Sequence, residues 1–328
     1  MIAVTGASGH IGANLIRRLL EDGQSVRVLA HKSRDAFFGL NLDVVEADIC
    51  DRASLTSAFE GVEVVYHLAA SVSILPGRIE MLTKVNVQGT ENVIEACRIS
   101  GVRRLVHFSS LHALEQEPLH TPLDESRSLV TEANGTAYDC SKAQAEMRVR
   151  QAIEEGLDAV VLYPSGVLGP NDFRLSHFGA ALIKMASAKL PALVHGGCDW
   201  VDARDVAEAA VKAAARGRAG EAYILGGHYL SVREVADVVA EISGLPAARF
   251  ISPLWLARLY APVSTVFAEL TGNRPLYTSS SLTALAGNRN IVHQKATAEL
   301  GHRPRPFRET MVDTLLWYGQ AGHLVLEQ

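Results

Sequence analysis

The sequence has little excess charge of either sign: 36 Asp and Glu against 31 Lys and Arg leave a formal net charge of -5 over 328 residues. With both signs interspersed, there is no polybasic footprint for a nucleic-acid backbone or an anionic membrane surface, and neither partner is expected. Cysteine is scarce as well. Cys50, Cys97, Cys140 and Cys198 are scattered and form no C-x-x-C pair, which fits reduced thiols in a cytoplasmic protein and argues against a disulfide framework or a metal site. Long apolar runs are also missing. The most membrane-like stretch, residues 253–270, is broken by Arg258, Pro262 and Glu269, so it reads as a buried or pocket-lining helix. No leader peptide is expected either, because Gly6 interrupts the first apolar run at once.

What the chain does have is apolar content of 48%, ample for a large core, and a conspicuous start. Residues 1–5 are a short apolar run leading into Gly6, Gly9 and Gly12 at intervals of three; beyond them Leu15, Ile16, Leu19 and Leu20 recur at helical spacing until Gly23. This is strand, glycine turn, helix. In such a turn Gly6 makes the tight bend, Gly9 lets the backbone approach a pyrophosphate, and Gly12 permits close packing of helix on sheet, while the helix N-terminus offers unpaired N–H groups to the anion.

Strands follow over residues 25–30, 43–47, 62–68, 103–108, 157–163 and 222–225, alternating with helices over 51–60, 79–100, 134–155, 178–190 and 199–216. Nearly continuous apolar strands are buried on both faces, which implies a parallel sheet covered by helices. The expected fold is therefore α/β: a Rossmann-type doubly wound sheet over residues 1–169, with 200–226 returning to it. A smaller, discontinuous, helix-rich substrate lobe takes 170–199 and 227–328. The second strand ends Ala30-His31-Lys32-Ser33-Arg34 with no acid before Asp35. An acid there would bind the ribose hydroxyls of NAD, whereas basic side chains accommodate a 2′-phosphate, so His31 and Lys32 favour NADP (NADPH) over NAD.

Chemistry is suggested by Tyr138 and Lys142, which are four residues apart and so share one helix face. A free phenol titrates near 10, and a neighbouring cation favours its ionised form. With Ser110 at a strand end as a second donor to a substrate oxygen, the set can polarise a carbonyl or take a proton from an alcohol.

Together these features resemble the extended short-chain dehydrogenase/reductase family, the NAD-dependent epimerase/dehydratase superfamily. Its T-G-x-x-G-x-x-G turn is matched by residues 5–12 and its Y-x-x-x-K helix by Tyr138 to Lys142. The resemblance implies that Gly6, Ser8, Gly9, His10, Ile11 and Gly12 cradle the cofactor, Asp48 and Ile49 meet adenine, and Leu68, Ala69 and Ala70 lie under the nicotinamide ribose. Asn86 falls in the family's N-V-x-G-T helix. Pro164, Ser165, Gly166 and Val167 are similar to its R-P-x-x-V-x-G-P turn, with Tyr163 standing where the family has arginine. Residues 200–207 and 295–301 match two further segments. Tyr138 is then the acid/base, Lys142 holds the nicotinamide ribose and lowers the tyrosine pKa, and Ser110, or alternatively Ser109, orients the reacting oxygen.

The chain looks closest to the dihydroflavonol-4-reductase-like and 3β-hydroxysteroid-dehydrogenase-like branch. A sugar dehydratase would carry Asp-Glu where Leu111 and His112 follow Ser110. The expected function is an NADP-dependent carbonyl reductase or alcohol dehydrogenase acting on a small hydrophobic or aromatic substrate, held by Leu254, Trp255, Leu256, Leu259, Tyr260, Val266 and Phe267. The alternative is a nucleotide-sugar epimerase with bound NAD, its diphosphate met by Arg174, Lys184, Arg274 or Arg289. Relatives often form homodimers through the two helices around 85–96 and 143–153.

Overall fold

The apolar segments become the strands of one parallel sheet in the computed structural model, which describes residues 1–31, 33–72, 79–271 and 278–324. The first half of the chain runs β1 (Ile2–Thr5), α1 (His10–Glu21), β2 (Val26–Ala30), β3 (Asp43–Glu46), α2 (Arg52–Ala58), β4 (Val64–His67), α3 (Ile79–Leu82), α4 (Gly89–Ile99), β5 (Arg104–Phe108), α5 (Ala137–Glu154) and β6 (Ala159–Pro164). The second continues with β7 (Gly166–Leu168), α6 (His177–Ala186), β8 (Leu193–Val194), β9 (Gly197–Asp202), α7 (Ala203–Arg216), β10 (Ala222–Leu225), β11 (His228–Ser231), α8 (Val232–Ser243), β12 (Ile251–Ser252), α9 (Leu254–Thr271), α10 (Ser279–Ala284), α11 (Gln294–Leu300) and α12 (Phe307–Gln320).

The main sheet has seven strands in the order β10-β6-β5-β4-β1-β2-β3, every pair parallel. From β1 the chain first winds outward through β2 and β3, then returns to β4 on the other side. That reversal opens a crevice at the carboxyl ends of β1 and β4, where such sheets bind ligands. Alternate residues of each strand feed two cores. Val4, Val28, Val106 and Leu162 pack toward α1 and α7, whereas Ala3, Val65, Leu105 and Val161 pack toward α2, α4 and α5. A third cluster around Trp200, Leu182, Val235, Met311 and Tyr318 joins α6, α8 and α12 beside the three-stranded sheet β11-β9-β7. Ala296 and Leu300 of α11 belong to the first core, so that late segment packs with the main sheet.

Four local features differ from the sequence reading. The helix expected from Asn134 starts at Ala137, because Thr136 and Asp139 form a capping box, while Asn134 Oδ1 instead accepts the Thr131 N–H at 2.7 Å in the preceding turn. The helix expected from residue 199 starts at Ala203, because 197–202 pair as β9 and Asp202 caps α7. Between α3 and α4, residues Thr83–Gln88 form a turn of π-helix. Finally, α9 is not buried by its large side chains. Ala257 and Ala261 face Val194 and Leu282, leaving Trp255, Leu259 and Tyr260 65%, 66% and 64% exposed. Among the described residues no helix is long and apolar enough to cross a membrane.

Candidate active site

The glycine turn is sterically compulsory at two positions. Gly6 has φ +70°, and a Cβ there would lie 2.5 Å from the Ala69 nitrogen and 2.6 Å from the Leu68 carbonyl carbon, so β1 and β4 can close only around a glycine. A Cβ on Gly12 would lie 2.4 Å from the Gly6 carbonyl oxygen and 2.7 Å from Ala7 Cα. Gly12 therefore serves the contact of α1 with its own turn, rather than the helix-on-sheet contact expected. Gly9 is the N-cap of α1 with extended backbone and no side-chain cap, which leaves the first N–H groups of the helix for an anion.

A cavity of about 950 Å³ opens against this turn, lined by Gly6, Gly9, His10, Ile11 and Gly12. Its lining continues through Leu68, Ala70 and Ser71 to Ser109, Tyr138, Lys142, Pro164 and Val167. Bare backbone, a helix N-terminus and a phenol–ammonium pair in one elongated cleft fit a dinucleotide. His10 contributes backbone to that wall, since its Nε2 is engaged with the Gly169 and Pro170 carbonyls at 3.0 and 3.1 Å. Together with Asn14, which donates to the Pro170 carbonyl at 2.9 Å, it ties α1 to the turn after β7.

The capping box of α5 fixes the start of the helix that carries Tyr138 and Lys142. The Ser110 hydroxyl lies behind the cavity lining, where it acts on the Tyr138 phenol to lower its pKa and accepts the His112 N–H at 3.2 Å. Ser109 turns inward: its hydroxyl donates to Glu146 Oε2 at 2.7 Å. The structure thus brings Ser110, not Ser109, to the phenol. His112 lines no part of the cavity, and burial lowers its pKa while Asp139 opposes the shift. Burial, reinforced by Asp139, pushes Tyr138 up to about 12, and the Ser110 bond pulls it back. The expected lowering by Lys142 is not seen, because its ammonium donates to the Phe108 carbonyl at 2.6 Å. Burial brings Lys142 itself down to about 8 against the opposing charge of Glu146.

The other expected cofactor residues are placed variously. Asn86 is scaffold: its side-chain nitrogen donates to the Ser71 carbonyl (3.0 Å) and Ser141 Oγ (2.9 Å), and its oxygen accepts the Ser71 N–H (2.7 Å). Ile49 packs on Gly89, and Ala69 donates its N–H to Thr5 Oγ1 at 3.2 Å. His31 and Asp48 sit at the ends of β2 and β3, half exposed, with Nε2 and Oδ2 3.9 Å apart. Ser8, Ser165 and Gly166 are also off the cavity wall; Gly166 abuts Trp200, and the Ser165 hydroxyl is buried without a partner among the described residues. Lys32 lies outside the described residues.

Sequence reasoning missed the polar layer beneath the cavity. The Thr90 hydroxyl donates to the Asn86 carbonyl at 2.6 Å, so His67 Nε2–H must donate to Thr90 (3.0 Å) and His67 Nδ1 accept from Thr5 (2.8 Å). This neutral imidazole braces the β1 and β4 ends under the glycine turn. Burial, then the charge of Lys142, lowers His67 to about 3 and holds the adjacent His107 well below its usual range. Both stay neutral when folded but protonate when unfolded below about 6.5, so their contribution to stability is complete above that pH and is lost as the pH falls toward their folded values. Unfolding free energies from denaturant titrations should be nearly flat between about pH 7.5 and 6.5 and then fall as the pH drops to about 5, by a slope that approaches about 1.4 kcal/mol per unit for each histidine. A His67→Gln variant should show the shallower slope, and equal slopes would remove this account.

The lining also includes the apolar side chains of Val72, Met81, Val85 and Leu175 and the polar side chains of Asp172, Arg174, Ser176 and His177. Described side chains of α9 do not reach it, so the apolar wall comes from residues well before that helix rather than from Trp255, Leu259 or Tyr260. Val266, Phe267 and Arg274 lie outside what is described of the side chains. Of the remaining cations considered for a diphosphate, Arg174 lines the cavity, Lys184 does not, and Arg289 lies over the Tyr229 ring at 5.7 Å.

A family model described as the NAD dependent epimerase/dehydratase family matches residues 2–226. The chain is 34% identical over 325 residues to the sterol demethylase protein B of Methylococcus capsulatus, covering 97% of this chain and 98% of that one. It is 31% identical to a putative dihydroflavonol 4-reductase of Synechocystis, covering 98% and 95%. Among solved structures it is similar to the UDP-glucose 4-epimerase of Thermus thermophilus in complex with NAD, at a TM-score of 0.77 and 25% identity over 98% and 99% of the two chains.

Proposed function

The chain belongs to the NAD dependent epimerase/dehydratase family and is thus an NAD(P)-dependent enzyme of the extended short-chain dehydrogenase/reductase type; within that family we propose that it is an NADP-dependent reductase interconverting a carbonyl and an alcohol on a small hydrophobic substrate. The observation that carries this reading is the Tyr138 phenol, with the Ser110 hydroxyl acting on it, in a cavity whose lining includes the apolar side chains of Val72, Met81, Val85 and Leu175. Such a wall suits an apolar body with one polarised oxygen.

The nicotinamide coenzyme, when bound, supplies or accepts the hydride. Everything else falls to the protein. Gly6, Gly9 and the N-terminus of α1 would hold the pyrophosphate, and Lys142 with Tyr138 would meet the nicotinamide ribose. The Ser110 hydroxyl donates toward the phenol oxygen, which leaves the phenolic proton free for the substrate oxygen, and Tyr138 donates it as negative charge develops there. In the reverse direction Tyr138 takes the alcohol proton. At neutral pH the phenol is protonated, the form that reduction requires of it.

Selectivity for NADPH is assigned to the end of β2, where His31 and Lys32 replace the acid that NAD would require. His31→Asp combined with Lys32→Ala should weaken NADPH at least tenfold more than NADH in fluorescence titrations, and equal losses would remove that assignment. Arg174, a guanidinium on the cavity wall, favours a second reading, a nucleotide-sugar epimerase with retained NAD. A panel of aldehydes, ketones and nucleotide sugars followed at the NADPH absorbance band separates the two. A reductase consumes NADPH with a carbonyl, whereas an epimerase regenerates its coenzyme and shows no net oxidation.

A further inference from the structure

Tyr138, Lys142, Glu146 and Arg150 fall at every fourth position of α5 and form a single stripe running from the cavity wall to the surface. The mechanism above uses the first two. Glu146 is wholly buried, and every bond it makes is to a polar side chain. Its Oε2 accepts the Ser109 hydroxyl at 2.7 Å; its Oε1 accepts the Tyr163 hydroxyl and the Arg150 Nε–H, the latter at 2.9 Å. Arg150 Nη2 also donates to the Tyr163 oxygen at 3.0 Å. Position 163 carries tyrosine where the family pattern has arginine, and the Arg150 guanidinium from α5 meets its hydroxyl.

A buried carboxylate is costly unless it is paired and hydrogen-bonded, and replacing such groups by apolar ones is often neutral for stability. This one takes three donors, yet the Arg150 guanidinium paired with it is half exposed, and the next charge along the stripe is the Lys142 ammonium. From these positions we infer that Glu146 is a positioning residue for the coenzyme site: its carboxylate keeps Lys142 cationic and fixes Ser109 inward, and Arg150 with Tyr163 limits how much negative charge it presents.

Among the described residues, Glu146 is the one anion that acts on Lys142. On β4 and β5, His67 and His107 are held neutral by burial; Tyr163 on β6 is pushed up by burial and then by Glu146, so it too is uncharged. On α5 itself Tyr138 is protonated, and on α4 Glu91 is paired with Arg148 at the surface. Lys142, at about 8, would therefore lose its proton earlier without Glu146.

The inference rests on reading Lys142 as the residue that holds the coenzyme, and its test separates the two. The pH dependence of NADPH affinity is measured by fluorescence titration from pH 6 to 10, alongside kcat/KM, for the wild type, Glu146→Gln and Arg150→Met. Glu146→Gln should move the alkaline loss of affinity down by about one pH unit, making binding at pH 8 several-fold weaker. Arg150→Met, which frees more of the carboxylate's charge, should move it up. Opposite displacements are not produced by general destabilisation. An unmoved alkaline limb, or displacement of both variants in one direction, overturns the inference. If Glu146→Gln does not fold, an upward shift in Arg150→Met supports it and no shift or a downward shift overturns it. Absence of any alkaline loss in wild-type NADPH affinity would instead remove the role of Lys142.

Discussion

Tyr138→Phe should lower kcat for carbonyl reduction by about 10³-fold, within the range expected for loss of a positioned proton donor, while leaving NADPH affinity within a few-fold of wild type. The phenol contributes only its oxygen to the Ser110 bond, and the ring that lines the cavity is kept in the variant. Turnover and coenzyme titration measured on the same preparation give the two numbers. The substitution also relieves a buried phenol with a single recorded side-chain partner, so thermal stability should be little changed. Normal turnover in the variant would mean that the proton comes from elsewhere.

The second large effect concerns the glycine turn. Gly6→Ala places a methyl 2.5 Å from a backbone nitrogen of the segment after β4 and forces alanine to adopt φ +70°. The left-handed conformation alone costs roughly 1–2 kcal/mol, and the clash can be relieved only by moving β1 away from β4, the two strands whose ends frame the crevice. Gly23 provides the control. It has the same φ of +70° with nothing within 4 Å of an added Cβ, so Gly23→Ala isolates the backbone cost without the clash. Gly23→Ala should lower Tm by a few degrees and leave NADPH binding intact. Gly6→Ala should lower Tm further and weaken NADPH by roughly 100-fold or more, as expected when the backbone cradle of the pyrophosphate is displaced. Equal behaviour of the two variants would show that the close approach at Gly6 does not matter to the coenzyme cleft.

The parts of this fold that the sequence made legible are those in which a local pattern has one physical meaning. Short apolar runs bounded by glycine had to be buried strands, and Tyr138 and Lys142 four apart had to share a helix face. Boundaries set by side-chain capping were less legible, since Asn134 and Thr136 are equally good caps on paper and Asp139 three residues after Thr136 decides between them. The seating of α9 is not legible from its large apolar residues, because among its described side chains the small residues Ala257 and Ala261 make the buried contact while Trp255, Leu259 and Tyr260 are exposed. Ser109 and Ser110 could not be separated by composition. Adjacent residues at a strand end point to opposite sides, and which side holds the phenol depends on α5, a separate element further along the chain. The Thr5–His67–Thr90 chain and Glu146 were invisible for a related reason, because their partners are brought together by sheet order rather than by spacing along the chain.

Hydride transfer from NADPH to a carbonyl at the Ser110–Tyr138 site is the central claim, and isotope tracing tests it most directly. The enzyme is incubated with NADPH deuterated at C4 of the nicotinamide and with the best carbonyl substrate, and the product is analysed by mass spectrometry. One deuterium in the carbinol for each NADPH oxidised, lost in Tyr138→Phe, is the predicted result. Conversion of a nucleotide sugar with no deuterium incorporated and no NADPH consumed would contradict it.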